Sequence, residues 1–544
     1  MVLAPFNEVW SVHFEQATPD GARPIPICLV AKELKSGMIM RAWGGEFETA
    51  PPFSVDKSSL FVAYKPSDEI ACMLALNWPS PLRVLDLSAE FRVATNGRRT
   101  IAGNSLFGAL TQCGLDAIGS ISNPAGEISI SAFATKSRSD WSAILARCEN
   151  VVLAQSRLFD GMLKTFDLPR ALLRGRFMAA AAGIAIAGIP VDRLLLSEFG
   201  ERWEEVQSVL EPDQGAITHT LDQSYALTSG RARSPFDFAV GPDGRHRFST
   251  SYFHARTSRN QAQRCIFDAP VWVRGLIRPE PDTALAYVDW SQHELGIAGA
   301  LSADQTLLEH YRAGDAYLRF AVQIGAAPPG ATKSTHGAIR EQFKAICLGS
   351  LYGLGTMALA DKIKCTPITA SKFLRGHREV YHEYWAWSDR VVESSMLLGS
   401  VASVFGWPFH LSSETNPRTL RNFPVQAAGA EMLRLASAMA IEAGIKVCAL
   451  VNDAILIEAP IVEIDRAVET MRSVMSEASR IVLLDLELRT DVIVARFPER
   501  FTDPRGIAKW NRVAAKVAPH ASLSLPTLSI GAQEHERLSL TPSI

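Results

Sequence analysis

The sequence has no long apolar run, no paired cysteines and no excess of one charge. Its longest small-apolar stretch, Phe177 to Val191, is rich in Ala and Gly. It falls short of the roughly 20 residues that a membrane span needs, so no membrane contact is expected. The first residues, MVLAPFNEVW, lack the basic region and apolar run of a signal peptide. The 8 Cys are scattered without a Cys-x-x-Cys pair. Neither a zinc site nor a disulfide framework is indicated, and a reducing cytoplasm fits. The net charge is −2, so any nucleic-acid partner needs a local basic cleft rather than a basic protein. What is present is ordinary for a globular chain: 544 residues, 47% hydrophobic and 21% charged. That length allows about three or four domains.

Residues 9–15 and 27–33 read as neighbouring strands joined by the turn-rich Thr18–Pro26. Short apolar runs follow at Phe61–Tyr64 and Leu82–Leu85. Helical patterns cover Asp68–Leu76 and Ser142–Leu158. An α/β domain over 1–165 is expected, closing near Asp167, because the chain before Pro169 tends to leave the helical region. Residues 170–212 read as helical, with a break at Gly188-Ile189-Pro190. Turn residues are dense from Pro212 to Pro242. Arg256 to Arg278 is locally basic. Ala303–Ser388 reads as mainly helical, Val401–Phe405 as a strand and Phe423–Ala443 as a helix. Lys446–Val451 and Ala454–Ile457 form a hairpin pattern with Asn452-Asp453 at its tip. Residues 517–544 are polar and rich in Ser and Pro, the composition of a disordered tail.

Three stretches carry candidate chemistry. In YVDWSQHEL (Tyr287–Leu295) a strand ends at Asp289, and Ser291 with Glu294 has the spacing of a capping box. A carboxylate at a strand end is exposed yet rigid, which suits a hard-metal ligand. In the helix Ala338–Leu351, Arg340, Lys344, Leu348 and the following Tyr352 recur every four residues and share a face. Two cations, an apolar and an aromatic group make a slot for a nucleoside triphosphate. Asp453 at the hairpin tip is the second carboxylate; together with Asp289 it could hold two metals. Each stretch alone has a plain structural reading: a capped turn, an amphipathic helix, a hairpin turn.

Taken in order, the stretches resemble family A DNA polymerases, the group of bacterial DNA polymerase I. YVDWSQHEL resembles the first palm motif, and LVNDAILIE (Leu450–Glu458) the second. REQFKAICLGSLYGLG (Arg340–Gly355) resembles the fingers motif. RTLRNFPVQ (Arg418–Gln426) resembles the template- and primer-contacting segment, with Arg418, Asn422 and Gln426 in place. RTSRNQ (Arg256–Gln261) resembles the primer-contacting region and points to Arg259. The resemblance spans about residues 250–515. It assigns Asp289 and Asp453 to two Mg²⁺ ions, with Arg340 and Lys344 on the incoming triphosphate. Tyr352 would meet the nascent base pair, beside Leu348 at a position usually aromatic. Glu294 would be the steric gate against a 2′-hydroxyl. Primed DNA and dNTPs are the implied partners of a monomer in a bacterial or phage cytoplasm.

Departures qualify the match. The second palm motif usually reads His-Asp-Glu, where this chain has Asn452-Asp453-Ala454. The stretch between Asp192 and Phe236 is short for a thumb, which grips duplex through basic contacts. The first 165 residues resemble a ribonuclease H-like 3′→5′ exonuclease module with altered motifs. His13 and Glu15 stand where the family has Asp-x-Glu. Arg147 and Val151 replace the Tyr and Asp of a Tyr-x-x-x-Asp segment. Glu69 and Asp86 are candidates for the other acidic positions. The implied fold is α/β (α+β): a degenerate exonuclease-like domain (1–165), a shortened thumb (166–255), palm and fingers (256–516, fingers about 302–400) and a tail (517–544). The implied activity is template-directed DNA synthesis without proofreading. A pseudo-polymerase that only binds primed DNA is the main rival. A single-subunit RNA polymerase is another, opposed by the bulky Glu294.

Overall fold

A computed structural model describes residues 3–115, 138–210 and 235–521. The N-terminal region is built on a five-stranded sheet in the order β3-β2-β1-β4-β5. Strands β1 (Glu8–Ala17), β2 (Ile25–Glu33) and β3 (Ile39–Trp43) follow one another through short turns and pair antiparallel. Strands β4 (Ser59–Ala63) and β5 (Val84–Asp86) run parallel to β1. Parallel neighbours need a crossover, and helix α1 (Pro66–Ala75) supplies it between β4 and β5. Every residue of β4 is buried, as expected of a strand covered on both faces. Asp86 ends β5 and caps α2 (Leu87–Thr95), accepting from the Ser88 amide at 2.8 Å. Helix α3 (Arg138–Met162) covers β1 and β2.

Helix α4 (Leu168–Ala187) holds the Ala/Gly-rich stretch. Asp167 caps it, at the expected domain boundary. The boundary nevertheless cuts through a core: Ala182 packs with Trp10, Phe61 and Ile70 of the N-terminal sheet, and Ala171 with Leu85 and Phe159. The reason is steric. Small residues let the helix approach β5 closely, and a Cβ on Gly175 would lie 1.8 Å from the Val84 carbonyl oxygen. The other side of α4 meets the C-terminal region, so this one helix joins the two halves.

A four-stranded antiparallel sheet forms the second centre. Its central strand, β6 (Thr283–Trp290), leads into helix α5 (His293–Ser302). Helices from Gln305 to Leu398 follow, among them α6 (Gly337–Leu351) and α7 (His382–Leu398). Helix α8 (Pro417–Glu442) returns to the sheet, followed by the hairpin β7 (Lys446–Val451) and β8 (Ala454–Pro460). Helix α9 (Ile464–Val482) and strand β9 (Thr490–Arg496) complete the layer in the order β7-β8-β6-β9. Both faces of β6 are buried. Ala284, Ala286 and Val288 meet the helical layer, while Leu285 joins a second core with Trp272 and Trp510.

Two expectations need correction. The capping box does not form: Gln292, with φ 52°, precedes α5 and no side chain caps the helix. That left-handed residue starts the helix one position late, so Ser291 donates to Asp491 instead. Gln292 is held in place by the Ala316 amide, 2.9 Å from its Oε1. Residues 517–521 also depart from the expected tail. Helix α10 (Ile507–Val517) runs into a short turn whose Val517, Ala518 and Ala521 are buried. The indole of Trp510 donates to the Ala521 carbonyl at 2.9 Å. Residues 522–544 of the expected tail, and residues 211–234 of the expected thumb and turn-rich segment, lie outside the described residues. Among the described residues no helix is long and apolar enough to cross a membrane.

Close approach at Gly175 makes a paired prediction. Gly175→Ala should destabilise the protein by about 1–3 kcal/mol, because the obstructing atom is backbone. Gly183→Ala on the same helix meets only Ile441 Cδ1 at 3.6 Å. It should be neutral or stabilising by up to about 1 kcal/mol. Urea unfolding of both variants is the check, and similar midpoints would refute the packing argument.

Candidate active site

The sheet register sets the site. Asp289 of β6 lies opposite Ala454 of β8, so Asp453, one residue earlier at the hairpin tip, stands next to that pair. Asn452 makes the turn with φ 57°, a conformation Asn tolerates better than most residues. On the other side Asp289 faces Asp491 of β9. Burial pushes the Asp289 carboxyl up to about 7, and Asp453 adds to the rise. One Asp289 oxygen is buried without a hydrogen-bond partner. Burial also opposes charge on Asp453, but the bond and charge of His293 outweigh it and hold that carboxyl below its usual range. His293 Nδ1 lies 2.6 Å from Asp453 Oδ2.

Both carboxylates line a cleft of about 920 Å³ between sheet and helices. Lys344, Leu348 and Tyr352 enter it from α6, Glu294 and His293 from α5, and Arg259 from the loop before β6. The Tyr352 hydroxyl donates to Glu294, and Arg259 Nη2 lies 3.6 Å from the same carboxylate. Burial and Glu294 raise the Tyr352 phenol far above its usual range, so it remains a donor. Glu294 can point here because it is not spent on a capping box.

Arg340 departs from the expected arrangement. It lies one turn before Lys344, but its guanidinium is bound by Asp315 and by Glu341 at 2.7 Å, above the Tyr317 ring. It is not among the residues lining the cleft. Four-residue spacing predicts a shared helix face but not the direction of a long side chain. Arg418, Asn422 and Gln426 occupy successive turns of α8, flanking the cleft rather than lining it. The Asn422 amide donates to the Tyr352 carbonyl at 3.4 Å. Gly353, with φ 69°, lies against Arg418.

His293 and Asp491 were not singled out from the sequence. A signal for His293 was available: an ionisable residue beside Glu294, directly after the strand that carries Asp289. Asp491 lacked a comparable signal, because its role depends on strand pairing 200 residues away.

In the N-terminal sheet the altered acidic positions also converge. Arg147 grips Glu15 with two bonds of 2.7 and 2.5 Å. His13 Nδ1 lies 2.7 Å from Glu69 Oε1, and the other Glu69 oxygen accepts from the Phe14 amide. Burial opposes charge on His13, yet the two glutamates outweigh it and raise its pKa to about 10. Val151 follows Arg147 by one helical turn and offers no ligand. Asp86 is used to cap α2.

The fold is that of a polymerase domain. The polymerase domain of Pol1 from M. smegmatis, solved in complex with DNA primer-template and dNTP, superposes with a TM-score of 0.67 at 16% identity. The match covers 90% of this chain and 95% of that one. Residues 257–497 match the sequence model of DNA polymerase family A. The thermostable DNA polymerase I of Thermus thermophilus is 24% identical over 220 residues, 38% of this chain and 26% of that protein. DNA polymerase I of Geobacillus stearothermophilus is 25% identical over 234 residues, 40% of this chain and 26% of that protein. The chain thus spans about a quarter of the length of these relatives.

The carboxylate pair fits a divalent cation. Asp289 has an unpartnered buried oxygen, and Asp453 adds to the burial that disfavours its charge. Among the described residues no group of three His, Cys, Asp or Glu is arranged to hold a metal. The further ligands of a Mg²⁺ held here would be oxygens of substrate, backbone or water, as is usual for that ion. Asp289 has a raised folded pKa. Its stabilising contribution is full below about pH 4 and is lost as pH rises through about 7. A cation offsets that loss. Mg²⁺ should therefore raise the melting temperature more at about pH 8 than at about pH 6, and Asp289→Asn should remove the difference. Equal Mg²⁺ effects at both pH values in the parent protein would count against the paired site.

Proposed function

We propose that the protein is a DNA-directed DNA polymerase that extends a primer 3′ end with dNTPs and releases pyrophosphate. The observation that carries this reading is the convergence of Asp289, Asp453, Lys344, Tyr352 and Glu294 on one cleft. The structural relative whose title names primer-template and dNTP supports the same substrates. Asp289 and Asp453 would hold two Mg²⁺, which when bound lower the pKa of a primer hydroxyl and offset charge on the leaving pyrophosphate. Lys344 faces the triphosphate and compensates its negative charge. Tyr352 fixes Glu294 across the floor of the sugar site, where the carboxylate occupies the space of a 2′-hydroxyl. Leu348 supplies an apolar wall. Arg259 contacts the primer, while Arg418, Asn422 and Gln426 contact template and primer beside the cleft. Arg340 must leave Asp315 before it can reach a phosphate, so substrate binding on this reading includes a movement of α6 or of that side chain.

His293 on Asp453, together with Asn452 and Ala454 beside it, favours the rival reading of a DNA-binding pseudo-polymerase. Primer extension on a gapped template with Mg²⁺ separates the two. The polymerase reading predicts extension that Asp453→Ala abolishes. Tight binding of the primed template without extension would establish the rival. In an active parent, Glu294→Ala should increase ribonucleotide incorporation; unchanged selectivity would place the gate elsewhere.

The N-terminal domain is proposed to be a 3′→5′ exonuclease-type module that no longer proofreads. Its mixed sheet and the positions of His13, Glu15 and Glu69 support the kinship. Its closed charge network supports the loss. A nuclease of this type needs carboxylates free to hold hard cations. Here Glu15 is neutralised by Arg147 and Glu69 by His13. A mismatched 3′ end incubated with Mg²⁺ or Mn²⁺ and no dNTP should stay intact. Stepwise shortening abolished by Glu15→Ala would contradict this account.

A further inference from the structure

The loop that delivers Arg259 to the cleft has an unusual backbone. Phe253 and Ser258, neither of them glycine, adopt φ values of 52° and 60°. Such residues persist only where their surroundings over-determine them. Inside the loop, the Ser258 amide donates to the Ala255 carbonyl at 2.9 Å, and the Ala255 amide to the Arg259 carbonyl at 3.1 Å. From the palm, buried Arg434 donates to the Ser258 carbonyl and hydroxyl at 2.7 and 2.8 Å. These contacts hold the C-terminal half of the loop.

Its N-terminal half is held from two sides: the Trp407 indole donates to the Arg256 carbonyl at 3.0 Å, and the N-terminal domain reaches it as well. Asn96, at the C-terminus of α2, is 5% exposed. Its side-chain nitrogen donates to the Arg256 carbonyl at 2.7 Å and to the Pro408 carbonyl at 2.7 Å. Its own carbonyl accepts from the His410 amide at 2.9 Å. One turn earlier, Arg92 donates to the His254 carbonyl at 2.5 Å. The next residue, Gly97 (φ 88°), lies so close that a Cβ would stand 2.2 Å from the His410 carbonyl oxygen. The end of α2 is thus wedged between the Arg259 loop and the Ser400–His410 ribbon.

We propose that the N-terminal domain acts as a fixed brace for the primer-contacting loop, with Asn96 as the positioning residue that sets where Arg259 stands. The inference rests on the proposed role of Arg259 at the primer strand. It gives a domain whose acidic site is closed a task in synthesis itself. A buried amide that donates to carbonyls of two separate segments ties their spacing; without it the Arg256 carbonyl keeps the Trp407 indole, and the Pro408 carbonyl loses a donor. Arg259 is 39% exposed and reaches Glu294 at 3.6 Å. Slack in its backbone moves its charge relative to the phosphates it is to meet.

The test compares the full-length parent with Asn96→Ala, Arg92→Ala and a control, Glu149→Ala, which breaks an exposed ion pair with Arg41 elsewhere in the domain. Hydrogen exchange at residues 255–260 should rise about tenfold in the two clasp variants and stay unchanged in the control. Affinity for a labelled primer-template hairpin should fall about fivefold, as expected for a weakened phosphate contact. In an Arg259→Ala background, Asn96→Ala should weaken affinity no further, a result that a merely structural role would not produce. If Asn96→Ala does not fold, Arg92→Ala carries the same comparison. Unchanged exchange overturns the brace, as does an affinity loss that is equal with and without Arg259. A parent that binds no primed DNA refutes the proposed function instead; exchange still reads the brace directly.

Discussion

The site depends on one register, the pairing of β6 with β8 that sets Asp289 beside the tip of the β7–β8 hairpin. Shifting either strand by one residue turns its side chains to the opposite face. Buried residues on both sides of β6 prevent that: Ala286 and Val288 are committed to one core and Leu285 to the other. The same packing that fixes the register buries one oxygen of Asp289. The result is an Asp289 whose charge is disfavoured by burial and by Asp453, beside an Asp453 whose carboxyl His293 holds below its usual range. A divalent cation is the simplest partner for such a pair.

The N-terminal sheet shows the opposite resolution of a similar problem. There, too, acidic groups gather at a central strand, Glu15 on β1 and Glu69 on α1 beside it, yet both of these carboxylates have an internal cation. Arg147 and His13 satisfy Glu15 and Glu69 within the chain. A buried pair of this kind needs no external ion and leaves no free ligand for one. An Asp289 oxygen without a partner in one sheet and paired carboxylates in the other distinguish a site open to metal from a site that is closed. The two halves are not independent, because α4 packs against both and the end of α2 reaches the loop before β6.

Much of this was legible in the sequence. Strand and helix patterns located β1, β2, β6, the β7–β8 hairpin and α6 to within a few residues, because their apolar spacing matches what is buried. The strand-end position of Asp289 and the turn position of Asp453 could be read in the same way. Details set by tertiary contact were not. Gln292 takes a left-handed conformation because the Ala316 amide and the Gly314 carbonyl hold its side chain, so Ser291 is lost as a cap. Arg340 turns from the cleft because Asp315 is within reach, a residue 25 positions away. His293 meets Asp453 across two elements that no local pattern connects. The Ala/Gly stretch of α4 reads as weakly apolar sequence, and only the backbone of β5 against it explains why it contains no larger side chains.

Mn²⁺ binding followed by electron paramagnetic resonance, with primer-template and dNTP present, addresses the carboxylate pair most directly. A matched pair predicts tightly bound Mn²⁺ in the parent protein and its loss in the combined Asp289→Asn, Asp453→Asn variant, with the fold of that variant intact by circular dichroism. Equal Mn²⁺ binding by parent and variant would contradict the account.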